Sequence, residues 1–197
     1  MNKLRWIYTY VCFFRILPAF ICYKLNRFRD KCKMDLEAWV RHYETPKNHS
    51  TFFQLGYVLI HEKETRNIFL NRLHRNPFMF IAVRLLFKPL ESCYIHMPPE
   101  HIGGGLVLQH GFSTIIAAQR IGENCKVFQQ VTVGYNGDKS PVIGDRVQIS
   151  AGAIVVGDVT VADDIVIGAG AVVVRSCSIP GATLVGVPAR VVGVEKN

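Results

Sequence analysis

The sequence predicts a mostly β protein: a parallel β-helix preceded by a basic, α-helical N-terminal region. Three observations carry that reading. In the second half an aliphatic β-branched residue recurs at every sixth position. Four residues after most of these stands a residue that is small or β-branched. The charge is divided between the halves: residues 1–92 hold 16 Lys and Arg against 7 Asp and Glu, whereas residues 93–197 hold 7 against 8. A split of this kind marks two regions with different tasks.

The period decides the fold. Ile121, Val127 and Val133 open it, and after a short interruption it resumes at every sixth residue from Ile143 to Val191. The companion positions include Cys125, Val131, Ala153, Ala171 and Cys177. A period of six fits neither an amphipathic helix nor a long strand. It fits short strands that turn a corner every six residues, three to a coil. The aliphatic side chains then stack inward as one column, and the companions stay small because they also point inward near a corner. Glycine often follows the aliphatic residue, as at Gly122, Gly134, Gly144, Gly168 and Gly186, where a tight corner is expected.

The first half reads as helices. One opens at Met34 or Asp35 and closes at Thr45-Pro46. Thr51 caps a second that reaches Ile60. Glu62 to Arg75 and Pro77 to Leu90 are two more, with Pro77 at a favoured first-turn position. Pro89, Pro98 and Pro99 bracket the transition. The predicted division is 1–92 for the basic helical region, 93–193 for the β-helix and 194–197 for a tail.

Residues 1–33 carry eight basic residues against Asp30, interleaved with Trp6, Tyr8, Tyr10, Phe13, Phe14 and Phe20. Arg15 and Pro18 interrupt the apolar stretch, so it lacks the uniform run of about 20 residues that a span needs. No small-residue cleavage site follows it, and the expected location is the cytoplasm. Two fates suit the segment: packing on the protein's own assembly, or peripheral contact with an anionic membrane at its inner face. No recognised nucleic-acid motif accompanies the charge. The six cysteines form no CxxC pair and read as reduced thiols.

Of the seven histidines, none lies beyond position 110, and His110 alone falls inside the repeats. Imidazole titrates near neutrality and so suits general-base work. A lone histidine is equally compatible with a structural or surface role. A zinc site of three imidazoles on such a helix is disfavoured by the same distribution, and no metal is expected.

The segments GGGLVLQHGFSTIIAAQRIGENCKVFQQVTVG, VQISAGAIVVGDVTVADDIVIGAGAVVV and GVPARVVG bring in a resemblance. Residues 102–193 resemble the hexapeptide-repeat acyltransferases, and within them the serine acetyltransferase branch. The helical half is similar only loosely, in ETRNIFLNRLHRNPFMFIAVRLL. The resemblance implies a left-handed β-helix, a homotrimer with sites shared between subunits, acetyl-CoA as co-substrate, and His110 as general base in direct transfer to a hydroxyl. It implies CoA contacts at Thr132, Gly134, Ala151 and Ala169, with Arg190 toward the phosphates. The family's carboxylate behind the histidine has no match: its position carries Tyr94, which leaves Glu100 as the nearest acid in sequence. Gln109 and Lys139 take the places of charged serine ligands. Serine needs partners for both its ammonium and its carboxylate. The expectation is therefore a neutral acceptor such as a sugar hydroxyl, with serine O-acetylation as the alternative and a purely structural, non-catalytic trimer as a third reading.

Overall fold

The computed structural model describes residues 3–43, 45 and 48–194. Pro46, expected to help close a helix, and residues 195–197 of the expected tail lie outside them. Six helices come first: α1 Lys3–Val11, α2 Phe13–Leu25, α3 Arg29–His42, α4 Thr51–His61, α5 Lys63–Leu73 and α6 Pro77–Leu86. Several boundaries differ from the sequence reading, each for a local reason. The Ser50 hydroxyl, not Thr51, caps α4 by accepting the Phe53 N–H at 3.3 Å. Helix α3 starts earlier, at Arg29, and α6 ends at Leu86. Pro77 is in the first turn of α6 as expected, beside an Asn76 cap. Helix α2 runs straight through Arg15 and Pro18; the break falls at Cys12, where α1 and α2 bend by 74°. No single helix is long and apolar enough to cross a membrane.

The second half is a left-handed parallel β-helix with hexapeptide repeats. Its strands are β1 Cys93–Ile95, β2 Val107–Leu108, β3 Thr114–Ile116, β4 Arg120–Ile121, β5 Lys126–Val127, β6 Thr132–Gly134, β7 Val142–Ile143, β8 Gln148–Ile149, β9 Ile154–Val156, β10 Thr160–Val161, β11 Val166–Ile167, β12 Val172–Val173, β13 Ala182–Val185 and β14 Arg190–Val194. They stack as three faces: β1-β3-β6-β9-β12, β4-β7-β10, and β2-β5-β8-β11-β13-β14. All pairs are parallel except β13 with β14, which closes the end antiparallel.

The register explains the period and its interruption. Ile149 pairs with Ile167, 18 residues on, which is three hexads. Val127 pairs with Ile149, 22 residues on, because residues 135–140 bulge out as a turn. The column is fully buried from Ile121 to Val173. Its last three expected members, Ile179, Val185 and Val191, are exposed instead. The final coil is short: Val161 bridges to Cys177 and Ile167 pairs with Leu184. A change of one or two residues moves every later side chain out of phase, so Cys177, Ala182 and Leu184 fill the core there.

The glycines also carry a correction. Gly122 and Gly144 are not in the left-handed region; a Cβ at either would strike the backbone of the next coil. The corner conformation itself is taken by non-glycine residues, Asn124, Arg146 and Asp164, all at φ between 54° and 60°. Asparagine and aspartate tolerate this conformation best.

The helical region is fastened to the first coil by polar side chains. Asp35 of α3 and Arg72 of α5 are fully buried and paired, Nε to Oδ2 at 2.9 Å. Arg72 also donates to the carbonyls of Pro99, Ile102 and Gly103, while Asp35 accepts the N–H groups of Gly105 and Leu106. Burial pushes the Asp35 carboxyl up, opposed by Arg72 and these two N–H groups.

Candidate active site

Strand β2 is held from behind by α3. The Trp39 indole donates to the Leu106 carbonyl at 2.8 Å, and the Tyr43 hydroxyl donates to the Leu108 carbonyl. The chain then leaves β2 at a corner where His110 and Gly111 both have positive φ, 65° and 57°. Two such residues in succession throw the His110 side chain outward, and it is exposed in the single chain. Ser113, also at positive φ, belongs to the same corner as turn chemistry.

The carboxylate nearest this corner comes from the helical half. Glu64, in the first turn of α5, is buried, and its Oε1 accepts the His110 N–H at 3.1 Å. Burial pushes the Glu64 carboxyl up, against the lowering effect of its backbone N–H partners. Glu100 is elsewhere: it pairs with Arg75 on the surface, which holds its carboxyl low. Sequence proximity suggested Glu100 because it is 10 residues from His110, whereas Glu64 is 46 residues away and arrives only by the packing of α5. Its one trace in the sequence is its place opening ETRNIFLNRL, the stretch that bore the loose helical resemblance. His42, at the end of α3, is pushed down by burial and by the nearby Lys126 and His110. Among the described residues no cluster of three metal-ligating side chains is present.

The expected CoA residues form a line from this corner. The Gln130 N–H donates to Phe112 O, the Gly152 N–H to Gln129 O, and the Gly170 N–H to Ala151 O. Phe112, Gln129, Ala151 and Ala169 thus stack as a column about 14 Å long at the usual inter-strand spacing. Thr132 and Gly134 lie on the face that begins at this column, in β6. Arg190 opens β14 at the far end of the stack, next to Ala189, whose N–H donates to Val172 O. The structure therefore brings Thr132, Gly134, Ala151, Ala169 and Arg190 into one strip that leads away from His110.

Gln109 lies beside His110 with its Oε1 buried and unpartnered within the chain. Lys139 does not join them. It is exposed on the turn closed by the Asn136 and Lys139 backbones, past the far end of β6, about 16 Å along the strand from the His110 corner.

A β-helix whose outward histidine stands at the head of a strip of small residues is the arrangement that comparison with known proteins returns. A serine acetyltransferase of Helicobacter pylori is 37% identical over 96 residues, 45% of this chain and 56% of its own. One from Staphylococcus epidermidis is 31% identical over 145 residues, 70% of this chain and 64% of its own. The chain is a homologue of the serine acetyltransferases. Soybean serine acetyltransferase complexed with serine superposes with a TM-score of 0.59 at 26% identity, over 81% of this chain and 67% of that one. No family model matches. This homologue thus spans a little over half to about two thirds of the length of the curated relatives named here.

Proposed function

We propose that the protein transfers an acetyl group from acetyl-CoA to a hydroxyl, with His110 as general base. The observation that carries this is the outward His110 at the head of the small-residue strip, which gives a thioester arm room to lie along the backbone. His110 accepts the hydroxyl proton as the oxygen attacks the thioester carbon. A backbone N–H holds the tetrahedral oxyanion. The carbon–sulfur bond then breaks, and His110 returns the proton to the CoA thiolate. The products are the acetyl ester and free CoA. Thr132, Gly134, Ala151 and Ala169 line the arm, and Arg190 meets phosphate charge at the far end.

Serine is the acceptor this reading favours. The relatives are serine acetyltransferases, and the soybean enzyme was solved with serine. The sequence argued for a neutral acceptor because Gln109 stands where an acid would. The packing of α5 supplies one: the Glu64 carboxylate lies at the same corner, and the free Gln109 Oε1 adds a second acceptor for an ammonium group. A neutral sugar hydroxyl is the second reading, supported by Lys139-Ser140 in the turn where the resemblance expects an Arg-His pair.

His110 is open to solvent in the single chain, and Lys139 is too far from it to act there. Both fit a homotrimer in which a neighbouring subunit closes the site. The six free thiols suit a reducing compartment, here the cytoplasm. The test is thiol release from acetyl-CoA with serine and with neutral sugars as acceptors, on protein whose mass is measured by light scattering. Release dependent on serine from a particle of three times 22.2 kDa is expected. Release dependent only on sugars would favour the second reading, and none with any hydroxyl would refute acetyl transfer.

A further inference from the structure

Three adjacent helices present an apolar surface remote from His110. Helix α2 packs Ile16, Ala19 and Tyr23 inward, yet leaves Phe14 86% and Leu25 68% exposed, with Leu17 and Ile21 between them. These four recur at spacings of three and four and make one stripe. Helix α6, packed against α2, repeats the arrangement: Val83 is buried, while Phe78, Ile81 and Leu85 are exposed at 85%, 55% and 82%. The Arg15 side chain lashes the two together by donating to the Leu86 carbonyl at 2.6 Å. Helices α2 and α6 rest on α4 and α5, so their exposed stripes face away from the body. Helix α1 adds Ile7 and Val11 across the bend.

The charge around these stripes has one sign. Helices α1, α2 and α6 contain no Asp or Glu. Lys24 and Arg84 lie over the aromatic rings of Phe20 and Phe80, and Arg27 over Phe28, with no acidic partner among the described residues. Exposed apolar stripes rimmed by cations are the pattern of a helix layer lying in the plane of an anionic lipid surface. Spanning is excluded for α1 and α2 by their attachment. Along its other side α1 packs Trp6 on His49 and Phe53, and Arg5 on Glu62.

We infer that α1, α2 and α6 form a membrane-docking face that seats the protein on anionic phospholipid, with Phe14, Leu25, Phe78 and Leu85 in the headgroup boundary and Lys24, Arg27 and Arg84 against lipid phosphates. The sequence singled out residues 1–33 for this; α6 is the part the fold adds. The face does not involve His110, so the inference stands apart from the proposed chemistry.

The test is co-sedimentation of the full chain with vesicles of phosphatidylcholine alone and of phosphatidylcholine mixed with phosphatidylglycerol, at low and high salt. Binding is expected on the mixed vesicles and weakened several-fold by salt. The exposed-site variant Phe14→Glu/Phe78→Glu/Leu85→Glu should bind about tenfold less or weaker still, from the lost apolar insertion. The variant Lys24→Gln/Arg27→Gln/Arg84→Gln leaves the apolar tips in place and should lose the preference for anionic vesicles. Light scattering of each variant runs alongside. Equal sedimentation of wild type and both variants, or no sedimentation of wild type at low salt, would overturn the inference. So would a glutamate variant whose particle mass falls while wild type ignores lipid, since a second copy of the chain would then be what covers the face.

Discussion

The two halves of the molecule are held together by different physics. In the β-helix each residue answers to its counterpart one coil away. The core is one aliphatic column from Ile121 to Val173, and the backbone ladder between coils repeats. In the helical half a few side chains act over long separations: Asp35 and Arg72 on coil one, Trp39 and Tyr43 on β2, Glu64 on the His110 corner. A repetitive fold distributes its stability, so one altered coil weakens only its neighbours. A fold fastened by single polar contacts concentrates it, so one lost partner is felt across the interface. The catalytic corner lies where the two meet.

The sharpest way to break this contrast is Arg72→Ala. It leaves the buried Asp35 carboxylate unpaired, at a cost of about 3–5 kcal/mol. Denaturant unfolding should show that loss, and acetyl transfer should fall further than stability alone accounts for, because α5 carries Glu64. Ile167→Ala, deep in the column, should cost about 2–5 kcal/mol in the same measurement. It should leave turnover of the folded fraction unchanged. Equal effects on turnover from the two variants would erase the distinction between the regions.

His110→Ala should lower turnover by a factor of about 10² or more with unfolding unchanged, since the side chain points to solvent. Activity within a few-fold of wild type would remove His110 as the base. Glu64→Gln separates the regions more finely. It keeps the shape but removes the charge that accepts the His110 N–H. Because burial raises the Glu64 carboxyl, wild-type activity should decline on acidification at a pH above the ordinary carboxylate range of about 4.3. That acid limb should shift in Glu64→Gln. The sign for stability is the reverse: a raised carboxyl holds its proton more tightly when folded, so its contribution is present at acid pH and lost as pH rises through the raised value. Glu64→Gln should therefore not be less stable than wild type at neutral pH, even as turnover drops.

The smallest effect is chemical. Cys12, at the α1–α2 bend, is half-exposed, whereas Cys22, Cys32, Cys93, Cys125 and Cys177 are buried. Burial pushes the thiols of Cys32, Cys93 and Cys125 up to about 12. Native alkylation counted by mass spectrometry should modify one cysteine, rising to six on unfolding. Early labelling in the helical half alone would show that it opens before the β-helix.

The sequence by itself determined the β-helix, its coil length, and His110 as the one imidazole inside it. Each of those depends on spacing along the chain, and a period of six has one simple geometric solution. It also named Thr132, Gly134, Ala151 and Ala169, whose alignment below His110 follows from the same spacing. Only the tertiary structure decided what depends on distance across the chain. The phase slip that exposes Ile179, Val185 and Val191 comes from a shortened last coil, and a run of valines conceals the slip. The pairing of Glu100 with Arg75 and the approach of Glu64 to His110 come from how α5 docks, which no local pattern encodes. The same holds for α6, whose apolar side reads as core until its packing against α2 leaves Phe78 and Leu85 in the open. Periodicity fixes neighbours one coil apart, whereas partners far apart in sequence meet only when whole elements pack.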